Sequence, residues 1–248
     1  MIIFPMAGLS RRFFDAGYSI PKFMLPLGNE TVFEHVVKNF IETVNDETFE
    51  FVTIREFGAE DFINKVMCKN GVSTDRFNIY CLDDKTRGQA ETVYLGLSKY
   101  RKGFDESLTI FNIDTIHKNY KKKLFLSEQS RGYLEVLMLE GTHWSFVLPK
   151  EGEGFKNGSV SKVTEKDRIS NYCSNGLYVF ESIKLFNDLY SETYLENCKK
   201  ERYIAPMYQT GLDLNIRFDY HLLNPEDVDF CGTPSEYQNL VHNYPKMK

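Results

Sequence analysis

The sequence predicts an α/β protein: a three-layer sandwich around a mainly parallel, Rossmann-like central sheet. Two observations lead there. Apolar runs of strand length alternate with segments of helical period through the first half of the chain, and such alternation implies crossover connections between parallel neighbours. The second is bulk: 248 residues with 42% hydrophobic and 15% aromatic content can bury a large core. Ligands of such sheets lie beyond the carboxyl ends of the strands, where the chemically distinctive segments of this chain fall.

The elements follow in order. Met1–Pro5 is a compact apolar run ending at a glycine turn, hence a buried strand. Thr31 with Glu34 forms a capping-box pattern, opening a helix whose apolar positions Val32, Phe33, Val36, Val37, Phe40, Ile41 and Val44 keep helical spacing. Phe49–Arg55 is the second strand, and Ala59–Lys69 a helix with Phe62, Ile63, Val66 and Met67 on one face. Phe77–Leu82 is a third strand, Gly88–Tyr100 a helix and Ser107–Ile113 a fourth strand. The second half changes character. Gly132–Gly141, Ser145–Pro149, Val160–Thr164 and Gly176–Phe180 are strand-like, with Glu151–Ser159 a Gly-rich hairpin or loop. Helices are expected around Ile183–Tyr190 and Tyr194–Tyr208, strands near Asn215–Tyr220 and Val228–Phe230, and a last helix from Pro234. No linker, repeat or low-complexity tract interrupts residues 1–248, so one domain is expected.

Composition excludes several function classes. A net charge of -5 gives no global positive field for nucleic acid or anionic lipid, so an anionic ligand must be held locally, in a pocket. Five cysteines (Cys68, Cys81, Cys173, Cys198, Cys231) are widely spaced with no C-x-x-C pair, the pattern of reduced thiols. There is no basic n-region and no run near the ~18 apolar residues of a membrane span. The expectation is a cytoplasmic protein with no membrane partner.

The most informative stretch follows the first strand: PMAGLSRRFFDAGYSIPKF at 5–23. It satisfies neither the P-loop pattern nor the dinucleotide G-x-G-x-x-G pattern. What remains is a short turn whose amides cradle a phosphate, with guanidiniums that hold phosphate oxygens bidentately. Pro21 stiffens the approach to Lys22.

The loop PMAGLSRRF with the downstream PKFMLPLGNETVFEHVV resembles the signature of nucleotidyltransferases that activate phosphorylated metabolites, the sugar-1-phosphate nucleotidyltransferases and small-molecule cytidylyltransferases. That family carries L-A-A-G-x-G-[ST]-R and then P-K; Ala7, Gly8, Ser10, Arg11 and Lys22 match in kind, whereas Met6 replaces an alanine and Leu9-Ser10 stand where a second glycine and its neighbour are usual. TRGQAETV at 86–93 resembles the nucleobase loop, where Gly88 lets the base lie against backbone. IFNIDTI at 110–116 resembles the strand ending in a metal-binding aspartate, VTEK at 163–166 with NGLYVF at 175–180 the acceptor signature, and CGTPSEY at 231–237 the closing helix start. One departure stands out: the family often places a metal-binding aspartate two residues before that Gly-Thr, where this chain has Phe230, with Asp229 one residue earlier. A one-residue slip turns a strand side chain to the other face. Either a bulge returns Asp229 to the metal, or Asp114 holds it largely with phosphate oxygens and water.

The resemblance implies attack by an acceptor phosphate oxygen on the α-phosphorus of a nucleoside triphosphate, with pyrophosphate leaving. It implies a nucleotide half over about residues 1–120 and an acceptor half over about 121–248. The nucleotide would lie against Met6, Ala7, Gly8, Leu9, Ser10, Arg11, Arg12, Lys22, Asp83, Gly88, Gln89 and Ala90. Arg11, Lys22, Asp114 and Lys166 would be the catalytic set, with Mg²⁺ on Asp114. Glu165, Lys166, Arg168 and Asn175 would meet the acceptor, Arg168 and Glu165 taking a carboxylate and an amine. Trp144 with Tyr172 is a candidate aromatic cage, and the histidines are taken as ordinary polar or core residues. Asp83, or else Asp84, accepts the amino hydrogens of cytosine but repels O4 of uracil or thymine, which points to CTP. Within the family, the chain most resembles the cytidylyltransferases that act on phosphoglutamine in capsule phosphoramidate biosynthesis. Some ten residues follow the closing helix start, so no appended C-terminal domain is expected.

Overall fold

A computed structural model describes residues 1–43, 47–100, 103–194 and 200–244. In chain order the elements are β1 (Ile2–Pro5), α1 (Arg11–Asp15), β2 (Pro26–Leu27), β3 (Glu30–Thr31), α2 (Val32–Thr43), β4 (Phe49–Ile54), α3 (Glu60–Lys69), β5 (Phe77–Leu82), α4 (Gln89–Lys99), β6 (Leu108–Phe111) and β7 (Thr115–His117). Then follow β8 (Ser130–Met138), β9 (Ser145–Pro149), β10 (Asn157–Glu165), β11 (Tyr172–Phe180), α5 (Ile183–Thr193), α6 (Ala205–Asp213), β12 (Arg217–Leu222), β13 (Val228–Phe230) and α7 (Pro234–Asn243).

Nine strands form one sheet in the order β5-β4-β1-β6-β11-β8-β12-β10-β9. Successive residues of β1 face opposite ways: Ile2 and Phe4 pack with α2, α3 and α7, whereas Ile3 packs with α4, α5 and α6. These two cores are the sandwich. Thr31 Oγ1 accepts the Glu34 amide at 3.2 Å, so α2 is capped at the expected start, while the Glu34 carboxylate takes Asn70 Nδ2 at 3.2 Å and Lys69 Nζ at 2.6 Å in place of the reciprocal bond of a capping box.

The sheet is mixed, which corrects the expectation of a mainly parallel one. β5, β4, β1 and β6 are parallel, but β11 is antiparallel to β6, to β8 and to β9, and β10 is antiparallel to β12 and β9. Only β8 and β12 are parallel in the second half. One cause lies in the connection of β9 to β10: residues 150–156 are too short for a crossover helix, so these two neighbours reverse. Because β9 pairs with both β10 and β11, strands β11-β8-β12-β10-β9 close into a ring of five.

Helix α6 begins at Ala205, later than the Tyr194 expected, because Pro206 is tolerated only in a first turn; part of that expected span, and Val44 of the α2 pattern, lie outside the described residues. Cys68, Cys81, Cys173 and Cys231 are free thiols, and Cys198 lies outside the described residues. No helix among the described residues is long and apolar enough to cross a membrane.

Candidate active site

A cavity of about 810 Å³ opens at the carboxyl ends of β1 and β6, lined by both halves of the chain. Its first wall is the segment after β1. Met6, Ala7, Gly8, Leu9, Ser10, Arg11 and Arg12 all line it. Ser10 has φ 49, the left-handed conformation, so serine here adopts backbone that glycine enters more freely. That accounts for the glycine usual in this stretch of the family motif. A Cβ at Gly8 would meet nothing within 4 Å, so the cavity is open beside it. The Arg11-Arg12 pair begins the short α1 rather than a loop.

Lys22 returns to this wall. Pro21 leads into a single 3₁₀ turn at Lys22–Met24, and the Lys22 amide donates to Ser10 Oγ at 3.2 Å. Lys22 Nζ is ion-paired with Asp114 across 92 positions of sequence. Asp114 follows β6 and its backbone oxygen accepts the Cys231 amide at 2.9 Å. A Cβ at Gly232 would stand 3.0 Å from Asp114 Oδ2 and 3.7 Å from Glu236 Oε2. Glycine at 232 thus leaves two carboxylates room at one pole of the cavity. Asp114 Oδ2 is taken by Lys22 and Glu236 Oε2 accepts the Thr233 amide at 2.9 Å; the hard oxygen donors left on these two carboxylates would fit a Mg²⁺ ion only if it took most of its ligands from phosphate and water.

Asp229 does not join them. β13 pairs with β7 in regular register, Asp229 opposite Ile116 and Phe230 opposite Thr115. The alternation puts Phe230 on the cavity wall, while Asp229 is bound to Lys118 Nζ at 2.9 Å and the Tyr244 hydroxyl at 2.7 Å. Of the two alternatives, the bulge is absent, and Asp229 does not line the cavity.

Three other expected contacts also fall outside. Asp83 does not line the cavity; its exposed carboxylate accepts from Arg55 Nε at 2.8 Å, and Asp84 shares that outer surface cleft. Neither carboxylate reaches the cavity, so neither marks the base as cytosine. Ala90 is fully buried, its amide donating to the Arg202 carbonyl at 2.9 Å. Arg168 lies over the Phe146 ring at 5.7 Å and donates to Gly141 O at 2.5 Å, Leu139 O at 3.2 Å and Asn171 Oδ1 at 2.7 Å. That guanidinium braces a loop instead of facing an acceptor carboxylate. Gly88 and Gln89 do line the cavity, but the space a Gly88 side chain would need is filled by the Arg202 backbone, 2.6 Å from the Cβ position. Gln89 Nε2 donates to Asn112 Oδ1.

On the wall contributed by the second half of the chain, Glu165 and Lys166 line the cavity with Trp144, Tyr178, Glu201 and Tyr203. Burial pushes the Glu165 carboxyl above the usual range, only partly offset by the Ser145 hydroxyl, which donates to it at 2.5 Å. Lys166 Nζ lies 4.4 Å from the Tyr203 ring centroid and donates to its hydroxyl. Trp144 packs on Phe230 at 4.9 Å, while Tyr172 packs away on Phe155 and Tyr220. Asn175 borders the cavity, but its amide is committed: Nδ2 donates to buried Glu135 at 3.2 Å and Oδ1 accepts from the Leu177 amide at 2.9 Å. Lys200, Glu201 and Tyr203 had no motif to mark them, nor did cavity-lining His143; Glu236 lies within the CGTPSEY segment but was not singled out.

A mixed α/β sheet with a nucleotide-sized cavity, carrying Arg11, Arg12, Lys22 and Lys166, at its switch from parallel to antiparallel strands is the architecture expected of nucleotidyltransferases. The comparisons agree. The structure matches a nucleoside-diphosphate-sugar pyrophosphorylase from Vibrio cholerae RC9 with a TM-score of 0.89 and 37% identity, over 98% of this chain and 100% of that one. The chain therefore belongs to the nucleoside-diphosphate-sugar pyrophosphorylase family. The fold is shared with UTP-bound UGPase from Acinetobacter baumannii (TM-score 0.72, 17% identity, covering 98% and 92%). It is shared too with inositol-1-phosphate CTP transferase from T. maritima (0.73, 15% identity, covering 98% and 94%). No protein-family model and no curated protein matches the chain.

Proposed function

We propose that the protein transfers a nucleotidyl group from CTP to a small phosphorylated metabolite, L-glutamine phosphate in the fullest form of the reading, releasing pyrophosphate and giving CDP-L-glutamine for capsule biosynthesis. One observation carries the reaction type: Lys22 and Asp114 meet between the Gly8–Arg12 wall and the Glu165-Lys166 wall of one cavity. The acceptor phosphate is already mostly a dianion at neutral pH, its second pKa being about 6. No general base is needed; the barrier is charge repulsion and alignment.

Arg11, Arg12 and the amides of Gly8–Ser10 take the β- and γ-phosphates, and Lys22 neutralises charge at the α-phosphate. Lys166 receives the acceptor phosphate. Asp114, with Glu236 beside it, would hold Mg²⁺, which when bound supplies further neutralisation of phosphate charge. Residues 1–120 thus serve the nucleotide and 121–248 the acceptor. Glu165 and Glu201, set among Trp144, Phe230 and Tyr203, suit an acceptor bearing an ammonium group, as glutamine phosphate and phosphocholine both do.

The choice of CTP rests on resemblance to cytidylyltransferases, Asp83 being outside the cavity. A second reading, a sugar-1-phosphate uridylyl- or thymidylyltransferase, is favoured by the 37% identity to a nucleoside-diphosphate-sugar pyrophosphorylase. Pyrophosphate release is measured with CTP, UTP, dTTP and ATP against glutamine phosphate, phosphocholine and sugar 1-phosphates. Highest turnover with CTP and an amine-bearing acceptor is expected. UTP or dTTP outperforming CTP replaces the first reading by the second, and no pyrophosphate from any pair sinks both.

A further inference from the structure

The segment before α6 carries a buried charge that the proposed chemistry does not use. Arg202 is 4% exposed. Its guanidinium lies 5.4 Å from the Tyr190 ring centroid and 5.5 Å from that of Tyr194. Nη1 donates to the Tyr190 hydroxyl and also reaches Glu91 Oε1 at 3.4 Å. Glu91, on α4, is shared: it accepts from Arg87 Nε at 2.8 Å, from Nη2 at 2.5 Å and from the Arg87 amide at 2.5 Å. Two arginines, 87 and 202, are thus held by one carboxylate.

The backbones are joined as well. The Arg202 amide donates to Arg87 O at 2.7 Å, and the Ala90 amide donates to Arg202 O at 2.9 Å. Between these bonds Gly88 has φ 141, and its missing side chain admits the Arg202 backbone. In extended chain, alternate side chains point opposite ways. While Arg202 is buried behind the loop, its neighbours Glu201 and Tyr203 line the cavity, Tyr203 bonded to both Glu201 and Lys166. The same strap therefore holds the 86–90 loop by its back and presents the acceptor end by its front.

We propose that Arg202 is a positioning residue that locks strap 200–203 onto loop 86–90, so that the donor nucleotide, by ordering the loop, pre-forms the acceptor end. The inference rests on the reading of 86–90 as the nucleobase loop. Two segments joined by shared hydrogen bonds are ordered at a common entropic cost, so a ligand of one raises affinity at the other. The coupling is absent from any step of the chemistry itself, which separates it from a catalytic role.

Hydrogen–deuterium exchange on the whole protein tests this, with CTP and separately UTP, each with Mg²⁺ and without acceptor. In the wild type, peptides spanning 86–91 and 200–204 should gain protection together. In Arg202→Met the first should still gain protection and the second should not, and the tightening of nucleotide binding by added glutamine phosphate should fall about tenfold. Arg202→Lys should recover part of both effects. Tyr190→Phe, which removes only the hydroxyl that accepts from Arg202, should shift the exchange in the same direction by less, and serves if Arg202→Met does not fold. Protection confined to 86–91 in the wild type, or both peptides protected in Arg202→Met, overturns the inference. Nucleotide binding that leaves 86–91 unchanged overturns the loop reading and the inference together. Failure of both nucleotides to bind overturns the proposed function.

Discussion

Gly88→Ala should destabilise the protein more than most surface changes, and the cost can be worked from its surroundings. The new Cβ would stand 2.6, 2.8 and 3.0 Å from the carbonyl oxygen, nitrogen and carbonyl carbon of Arg202. All three are backbone atoms, so none can swing aside as a flexible side chain would. The native φ of 141 is itself a conformation that L side chains rarely adopt, a strain of about 1–3 kcal/mol. Relieving the clash parts the two chains and loses the Arg202-to-Arg87 and Ala90-to-Arg202 bonds, each contributing about 1 kcal/mol net. The sum is at least about 3 kcal/mol, and at ~2–4 °C per kcal/mol for a chain of this size the Tm should fall by about 6–12 °C. Thermal unfolding followed by circular dichroism, with urea titration for the free energy, measures it. A Tm within about 2 °C of the wild type would refute the close approach and the clamp built on it.

Lys22→Ala should lower kcat by about 10²–10³ with a small effect on folding, since it removes one pre-organised charge from the phosphate path; steady-state pyrophosphate release reads this. Asp114→Asn should weaken Mn²⁺ binding, read by electron paramagnetic resonance on the protein without substrate, whereas Asp229→Asn should leave it unchanged because Asp229 is held by Lys118 and Tyr244. Glu165, its carboxyl raised by burial, binds its proton more tightly folded than unfolded. Its contribution to stability is therefore present at acid pH and lost as pH rises above the ordinary carboxylate range. Urea titrations at pH 5 and pH 8 should show Glu165→Gln gaining stability relative to the wild type at the higher pH, and an unchanged difference would contradict the raised pKa.

Much of the first half was legible because its signals are local. The strand-helix alternation through β6 depends on apolar spacing within one element, and the meeting of Gly8, Arg11, Lys22 and Asp114 follows from their places at strand ends. Where a side chain answers to a distant partner, sequence was silent or misleading. Asp83 looked like a base-edge acceptor, but Arg55, 28 positions earlier, takes its carboxylate. Asp229 hung on a single register step, and only the pairing with β7 decides it. Arg202 had no local mark at all, since its carboxylate partner Glu91 lies 111 positions away. The closed ring depends on β9 reaching β11 across β10, a pairing that short connections permit but no residue pattern spells out.

That closure also determines how the molecule meets its own copies. An open sheet offers two rows of unpaired amides and carbonyls on which another strand can grow. Here β9, last in the order, folds back on β11, so one end of the nine-stranded sheet has consumed its own border. Among the described residues, only β5 remains as an outer strand of that sheet. Any strand-by-strand assembly through the main sheet, ordered or aberrant, is thereby confined to the β5 side, and would leave the closed ring of strands untouched.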